Sequence, residues 1–188
     1  CGYALHVALC AARLQKGEPV LANAYTLAPV PGAIHNAGGV PVLVEIDGSF
    51  HIDLDDLRAK AEESKARFLM LSHMRGHIGD MDAITDICEE FGLFLIEDCA
   101  HTMGARWKET RSGNFGRIAC FSTQTYKHMN SGEGGFLTTN DPEIAARAVI
   151  LSGSYMFYPR HGARASDEVF DEVRLHMPKV PNTSTGPT

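Results

Sequence analysis

The sequence predicts a three-layer α/β/α domain built on a mainly parallel sheet. Short apolar runs of strand length alternate with segments of helical period, the pattern of a sheet covered by helices on both faces. The composition agrees: 44% hydrophobic and 21% charged residues over 188 positions suffice for one sizeable core.

Taken in order, residues 4–15 carry apolar side chains at helical spacing, and Gly17 follows where a helix stops. Residues 19–24 read as a short strand. Residues 29–39 open on Pro29 and close on Gly38 and Gly39, the start and stop of a short helix. Residues 41–47 form a nearly continuous apolar run, which predicts a strand covered on both faces. Acidic residues open the helix expected over 53–64, where they suit the positive end of the helix dipole. Residues 66–73 give a second buried strand. A helix follows over 80–92, with Asp80 as cap and Gly92 as stop. The run 93–100, "LFLIEDCA", is a third buried strand whose polar residues come only at its C-terminal end. Two more strands fall at 117–123 and 135–140, and a helix over 141–153 takes Asp141 as cap and Pro142 at its first position. Past Gly153 no clean period remains.

The formal charge of −6 leaves no basic footprint for nucleic acid. No apolar run reaches the length of a membrane span. The five cysteines lack CxxC spacing, so no metal site is expected, and four lie in apolar surroundings as reduced core thiols of a cytoplasmic protein. The chain opens on Cys1 and closes on "NTSTGPT", and it is expected to be a fragment of a longer protein.

In open α/β sheets, ligands bind beyond the carboxyl ends of the strands. Asp98 stands at such an end, with His101 and Gly104 following; alone, it is equally a helix cap or an ion-pair partner. Ser122 ends another strand, and Lys127 follows in a loop closed by "SGEGG". A lysine there is either a solvated cation or a nucleophile held beside backbone that can approach a ligand closely. Gly2 precedes the first helix, whose N-terminus is either a simple start or an anion site. Together these pieces suit a phosphorylated cofactor with a basic ring nitrogen and an aldehyde.

The stretch "EDCAHTMGA", followed by "GNFGRIACFSTQTYKHMNSGEGG", resembles the DegT/StrS-type aminotransferases, whose pattern is EDxAxxxGA and then GxxGxxxxFSxxxxKxxxxGEGG. That family contains fold-type I enzymes dependent on pyridoxal 5'-phosphate, including sugar aminotransferases. The resemblance implies that Lys127 forms the Schiff base with the cofactor and Asp98 faces its ring nitrogen. It places His101 near the phenolic oxygen, Ser122 at the phosphate, and Gly2 with Tyr3 in the turn whose amides bind that phosphate. Tyr3 stands where the family has a small or hydroxyl residue. Leu27 stands where many members carry an aromatic, which leaves Tyr25 to stack on the ring.

The implied reaction transfers an amino group from an amino-acid donor to a keto acceptor, in this family often a nucleotide-linked keto-sugar. Related dehydratases replace the lysine with histidine, and Lys127 is retained. Elimination, aldol cleavage and a non-catalytic cofactor-binding regulatory role remain as alternatives. Residues 1–153 would form the large domain, incomplete at its N-terminus. Residues 154–188 would begin the connection to a small domain, and the parent would be a homodimer.

Overall fold

The chain alternates helix and strand through its described length, residues 1–153 together with Glu168 and Glu172 of a computed structural model. In order come α1 (Gly2–Ala11), β1 (Pro19–Asn23), α2 (Pro29–Asn36), β2 (Val40–Val44), α3 (Leu54–Ser64) and β3 (Phe68–Ser72). A 3-10 turn (Met74–Gly76) leads to α4 (Met81–Phe91) and β4 (Phe94–Asp98). Then follow β5 (Arg106–Trp107), β6 (Thr110–Arg111), β7 (Ile118–Ser122), β8 (Gly135–Thr138) and α5 (Pro142–Leu151). The sheet runs in the order β2-β1-β3-β4-β7-β8. All pairs are parallel except β7 with β8. The expected architecture is therefore the observed one.

Alternation of side chains along each strand divides the core in two. Val20, Ala22, Phe68, Met70, Ile96 and Ile118 face the layer of α1, α2 and α5. Leu21, Leu69, Leu71 and Leu95 face α3 and α4. Both faces of β3 and β7 are buried along their whole length, which is why these strands read as unbroken apolar runs. The helix starts obey the sequence. Asp53, Asp80 and Asp141 each accept first-turn backbone N–H groups, and Gly92 ends α4 in the left-handed region at φ 64°.

Three local expectations need correction. β2 is the sheet edge and not a strand buried on both faces; Val40 and Leu43 are exposed and only Val44 is fully covered. The first helix ends at Ala11, because Arg13 takes φ 60° and turns the chain toward β1. The short hairpin of β5 and β6 was not anticipated. Its two rungs turn at Lys108 (φ 51°) without the glycine that usually marks such a turn. Residues 154–188 as a connection fall outside the described residues, apart from Glu168 and Glu172. No helix among the described residues is long and apolar enough to cross a membrane.

Candidate active site

Connections leave β1 in opposite directions, toward β2 on one side and, after β2, across to β3 on the other, so the strand order reverses there. Beside such a reversal the strand ends open a crevice. Four strands end here on a buried polar residue: Asn23 on β1, Ser72 on β3, Asp98 on β4 and Ser122 on β7. Apolar strands thus deliver these four polar groups at their last position, where the sheet stops and a ligand can begin.

Above this floor lies a cavity of about 310 Å³. Ser72, Asp98, His101, Ser122, Gln124, Lys127 and Glu133 contribute its polar lining; Cys1, Leu5, Leu27, Pro29 and Val30 stand among the rest. A larger cavity of about 820 Å³ lies between α1, β8 and α5, but its lining is mostly apolar and holds none of the strand-end groups. The smaller one gathers Ser72, Asp98 and Ser122 together with Lys127.

Asp98 is held by its neighbours. Ser72 Oγ donates to Oδ2 at 3.1 Å, the Ala100 N–H donates to Oδ1 at 3.2 Å, and the Cys1 thiol donates to Oδ1 at 3.8 Å. Ser122 Oγ accepts from the Gln124 N–H at 3.3 Å, which leaves its hydroxyl proton to donate elsewhere. Lys127 is half-buried, and that burial lowers the proton affinity of its amine, with Asp98 acting in the opposite direction. His101 is likewise lowered, first by burial and then by the positive charge of Lys127; Asp98 opposes this, while Arg75 and His128 add to it. Its Nδ1 accepts the Arg75 N–H at 3.2 Å, which fixes the ring against the 3-10 turn.

The loop that carries Lys127 is folded on itself. The Thr123 N–H donates to Gly134 O, the Thr125 N–H to Gly132 O, and the Ser131 N–H to Thr123 O. Ser131 Oγ meets Thr123 Oγ1 at 2.9 Å. Gly134 sits at φ 135°, and a Cβ there would stand 2.9 Å from Thr123 Oγ1, so the position needs glycine. Glu133 lines the cavity, and its backbone carbonyl accepts from Ser131 Oγ at 3.0 Å.

Of the residues singled out from the sequence, Lys127, Asp98, His101 and Ser122 meet on this one cavity. Gly2 is the first residue of α1, beside the cavity wall formed by Cys1 and Leu5. The N–H groups of this first turn have no intrahelical partner. Tyr3 turns its side chain away: its hydroxyl donates to Leu151 O at 3.0 Å and its ring stacks on His6. Tyr25 is not on the lining. Asn23 Nδ2 grips its carbonyl at 2.9 Å, and its ring packs on Phe50 at 5.3 Å between centroids. Leu27 reaches the cavity instead.

Sequence reasoning missed Asn23, Ser72 and Glu97. Glu97 is fully buried behind Asp98 and accepts the N–H groups of Gly113 (2.9 Å), Phe115 (2.8 Å) and Gly116 (2.8 Å), with His73 Nε2 at 3.1 Å. Burial alone would raise its pKa, but His73 and these amides outweigh it and hold the carboxyl below its usual range. Ligating atoms of His73, Glu97 and Cys99 lie within 4.8 Å of one another, yet both carboxylate oxygens already serve the backbone and His73. A charged residue inside an apolar strand, followed by a glycine-rich loop, was the available signal.

A lysine of lowered proton affinity, an oriented carboxylate, a hydroxyl donor and a helix N-terminus are grouped at the ends of a mainly parallel sheet, on the α/β fold of the fold-type I class. Within it, residues 1–171 match the profile of the DegT/DnrJ/EryC1/StrS aminotransferase family, and the chain belongs to that family. It is 38% identical over 152 residues to a Micromonospora echinospora protein provisionally named L-glutamine:3-amino-2,3-dideoxy-scyllo-inosose aminotransferase, covering 79% of this chain and 35% of that one. It is 33% identical over 149 residues to GDP-perosamine synthase of Vibrio cholerae, covering 79% and 40%. Among solved structures, NtdA of Bacillus subtilis with bound cofactor PMP superposes with a TM-score of 0.72 at 27% identity, covering 88% and 37%. The chain thus spans less than half the length of these relatives.

Proposed function

We propose that the protein containing this chain is a pyridoxal-phosphate aminotransferase that aminates a keto-sugar, with an amino acid as donor. The carrying observation is the convergence of Lys127, Asp98 and Ser122 on one cavity beside the N-terminus of α1. That donor set fits the cofactor. The amine matches its aldehyde and Asp98 its ring nitrogen. Ser122 and the unpaired first-turn amides of Gly2 and Tyr3 match its phosphate. His101 stands beside the same cavity, where it would border the ring. The sugar acceptor is supported by the names of the relatives, and the cofactor by the PMP bound to NtdA.

When bound, pyridoxal phosphate supplies an aldehyde that captures amines and a ring that accepts electrons released at the donor's Cα. The chain supplies the rest. Asp98, oriented by Ser72 and Ala100, would face the ring nitrogen and favour its protonated form. Lys127 Nζ provides the amine that anchors the cofactor, and its lowered proton affinity favours the nucleophilic form. As a free amine, the same Nζ would take the proton from the donor's Cα and, as an ammonium, would deliver it to the former aldehyde carbon, so that the amino group leaves the donor. Leu27 lines the cavity where many family members carry an aromatic, so the contact it would offer the ring is aliphatic.

Residues 1–153 form the cofactor-binding large domain in this reading, and 154–188 lead toward a small domain. The whole protein is a cytoplasmic homodimer with its sites near the subunit interface. The test is titration of the protein, in the length its gene encodes, with pyridoxal phosphate. A new absorbance band is expected, with a Lys127→Ala variant lacking it and losing at least about a thousandfold in activity. Amino transfer from glutamate or glutamine to a nucleotide-linked keto-sugar is then followed by product analysis. No band in the wild-type protein, or an unchanged band in the variant, refutes the assignment.

A further inference from the structure

The strand ends carry one device that the proposed chemistry has not used in full. β1 and β3 pair only as far as Ala22 and Met70. Beyond that rung, the amide of Asn23 takes over both backbone groups of Ser72: the Ser72 N–H donates to Oδ1 at 2.8 Å, and Nδ2 donates to Ser72 O at 3.1 Å. Nδ2 also donates to Tyr25 O. Ser72 in turn is the register partner of Asp98 on β4, so the two side chains stand on the same face, and its hydroxyl donates to Oδ2 at 3.1 Å. All three residues are buried, and Ser72 and Asp98 both reach the cavity.

We infer that Asn23 and Ser72 are positioning residues for the ring nitrogen of the cofactor, acting through Asp98. The inference rests on the cofactor reading above. A carboxylate facing a pyridinium is useful only if its oxygen lies on the N–H axis, and a hydrogen bond loses strength steeply off that axis. The Ala100 N–H restrains Oδ1 alone. Without the Ser72 hydroxyl, rotation about the Cβ–Cγ bond is opposed by one backbone donor and the weak Cys1 thiol. Asn23 sets the height of Ser72 by closing the ladder that the two strands leave open. The Cα of Ser72 cannot shift toward the cavity while both its backbone groups are held.

The experiment compares two probes on the full-length protein: pyridoxal phosphate, and its analogue with CH in place of the ring nitrogen. The wild-type protein binds the natural cofactor more tightly than the analogue, and Asp98→Asn abolishes that preference. Ser72→Ala is expected to weaken pyridoxal phosphate by about tenfold, the worth of one hydrogen bond to a charged group, while the analogue changes less than about twofold. Ser72→Thr, which keeps the hydroxyl, restores the preference. Asn23→Ala reduces it by a smaller factor. If Ser72→Ala does not fold, Ser72→Cys keeps the size with a far weaker donor and gives the same readout. Equal weakening of both probes, or none, overturns the positioning role and leaves the cofactor assignment standing. Absence of any wild-type preference overturns the positioning role together with the placing of Asp98 at the ring nitrogen, and no binding of either probe overturns the cofactor reading.

Discussion

Replacing Glu97 by Gln removes one charge and changes almost no volume, so it isolates the electrostatics behind Asp98. The carboxylate receives two amides on Oε1, from Phe115 and Gly116, and one amide plus His73 on Oε2. Gln serves the two amides best by placing its oxygen on the Oε1 side. Those two bonds then fall from charged to neutral strength, about 1 kcal/mol each. Its NH2 is forced against the Gly113 N–H, leaving a buried donor unmet at about 1–3 kcal/mol. His73 can answer by changing tautomer. The sum is about 3–5 kcal/mol. Release from burial does not offset it, because the Glu97 pKa is held low: the fold already favours the charged form over a neutral one.

Thermal denaturation should show a fall in Tm of roughly 6–20 °C, at about 2–4 °C per kcal/mol for a chain of this size. The pH dependence gives a second handle. A depressed carboxyl pKa stabilises the fold above the unfolded value of about 4.3 and loses that contribution as pH falls through the folded value. The wild-type and Glu97→Gln stability curves should therefore converge in acid and separate toward neutrality. A Tm loss under about 2 °C, or parallel curves across that range, would refute the account of Glu97 as a charged clamp.

Two other expectations concern the loop that carries the amine. Gly134→Ala adds a Cβ at φ 135° against Thr123 Oγ1 and should cost about 1–3 kcal/mol, with weaker cofactor binding, both measurable by thermal shift with and without pyridoxal phosphate. Lys127 has a lowered pKa, so its reaction with a small soluble aldehyde should rise with pH to a midpoint below the ordinary lysine value of about 10.4. Asp98 acts to raise that pKa, hence Asp98→Asn should move the midpoint lower still; a midpoint that moves upward contradicts the electrostatics.

What could be read without coordinates follows from the range of each interaction. Asp98, Ser122 and Lys127 were accessible because each is announced locally, by a polar residue ending an apolar strand or by glycines in a short loop. The layers were accessible because burial on two faces leaves an unbroken apolar run, as in β3 and β7. β2 shows the weakness of that inference: its apolar run is the same, yet it lies at the sheet edge, since strand order is set by crossovers and not by composition. Strand order also hid Asn23 and Ser72. They stand 49 positions apart and meet only because β3 crosses to the far side of β1. Tyr25 failed for a subtler reason. The family resemblance left Tyr25 as the aromatic nearest the expected ring position, but the amide that supports Ser72 also grips the Tyr25 carbonyl, and its ring packs on Phe50. The bonds that hold Ser72 beneath Asp98 and the bond that grips the Tyr25 carbonyl thus belong to one side chain. A substitution at Asn23 should therefore disturb both the ring-nitrogen end and the open face of the site, whereas one at Ser72 should disturb only the first.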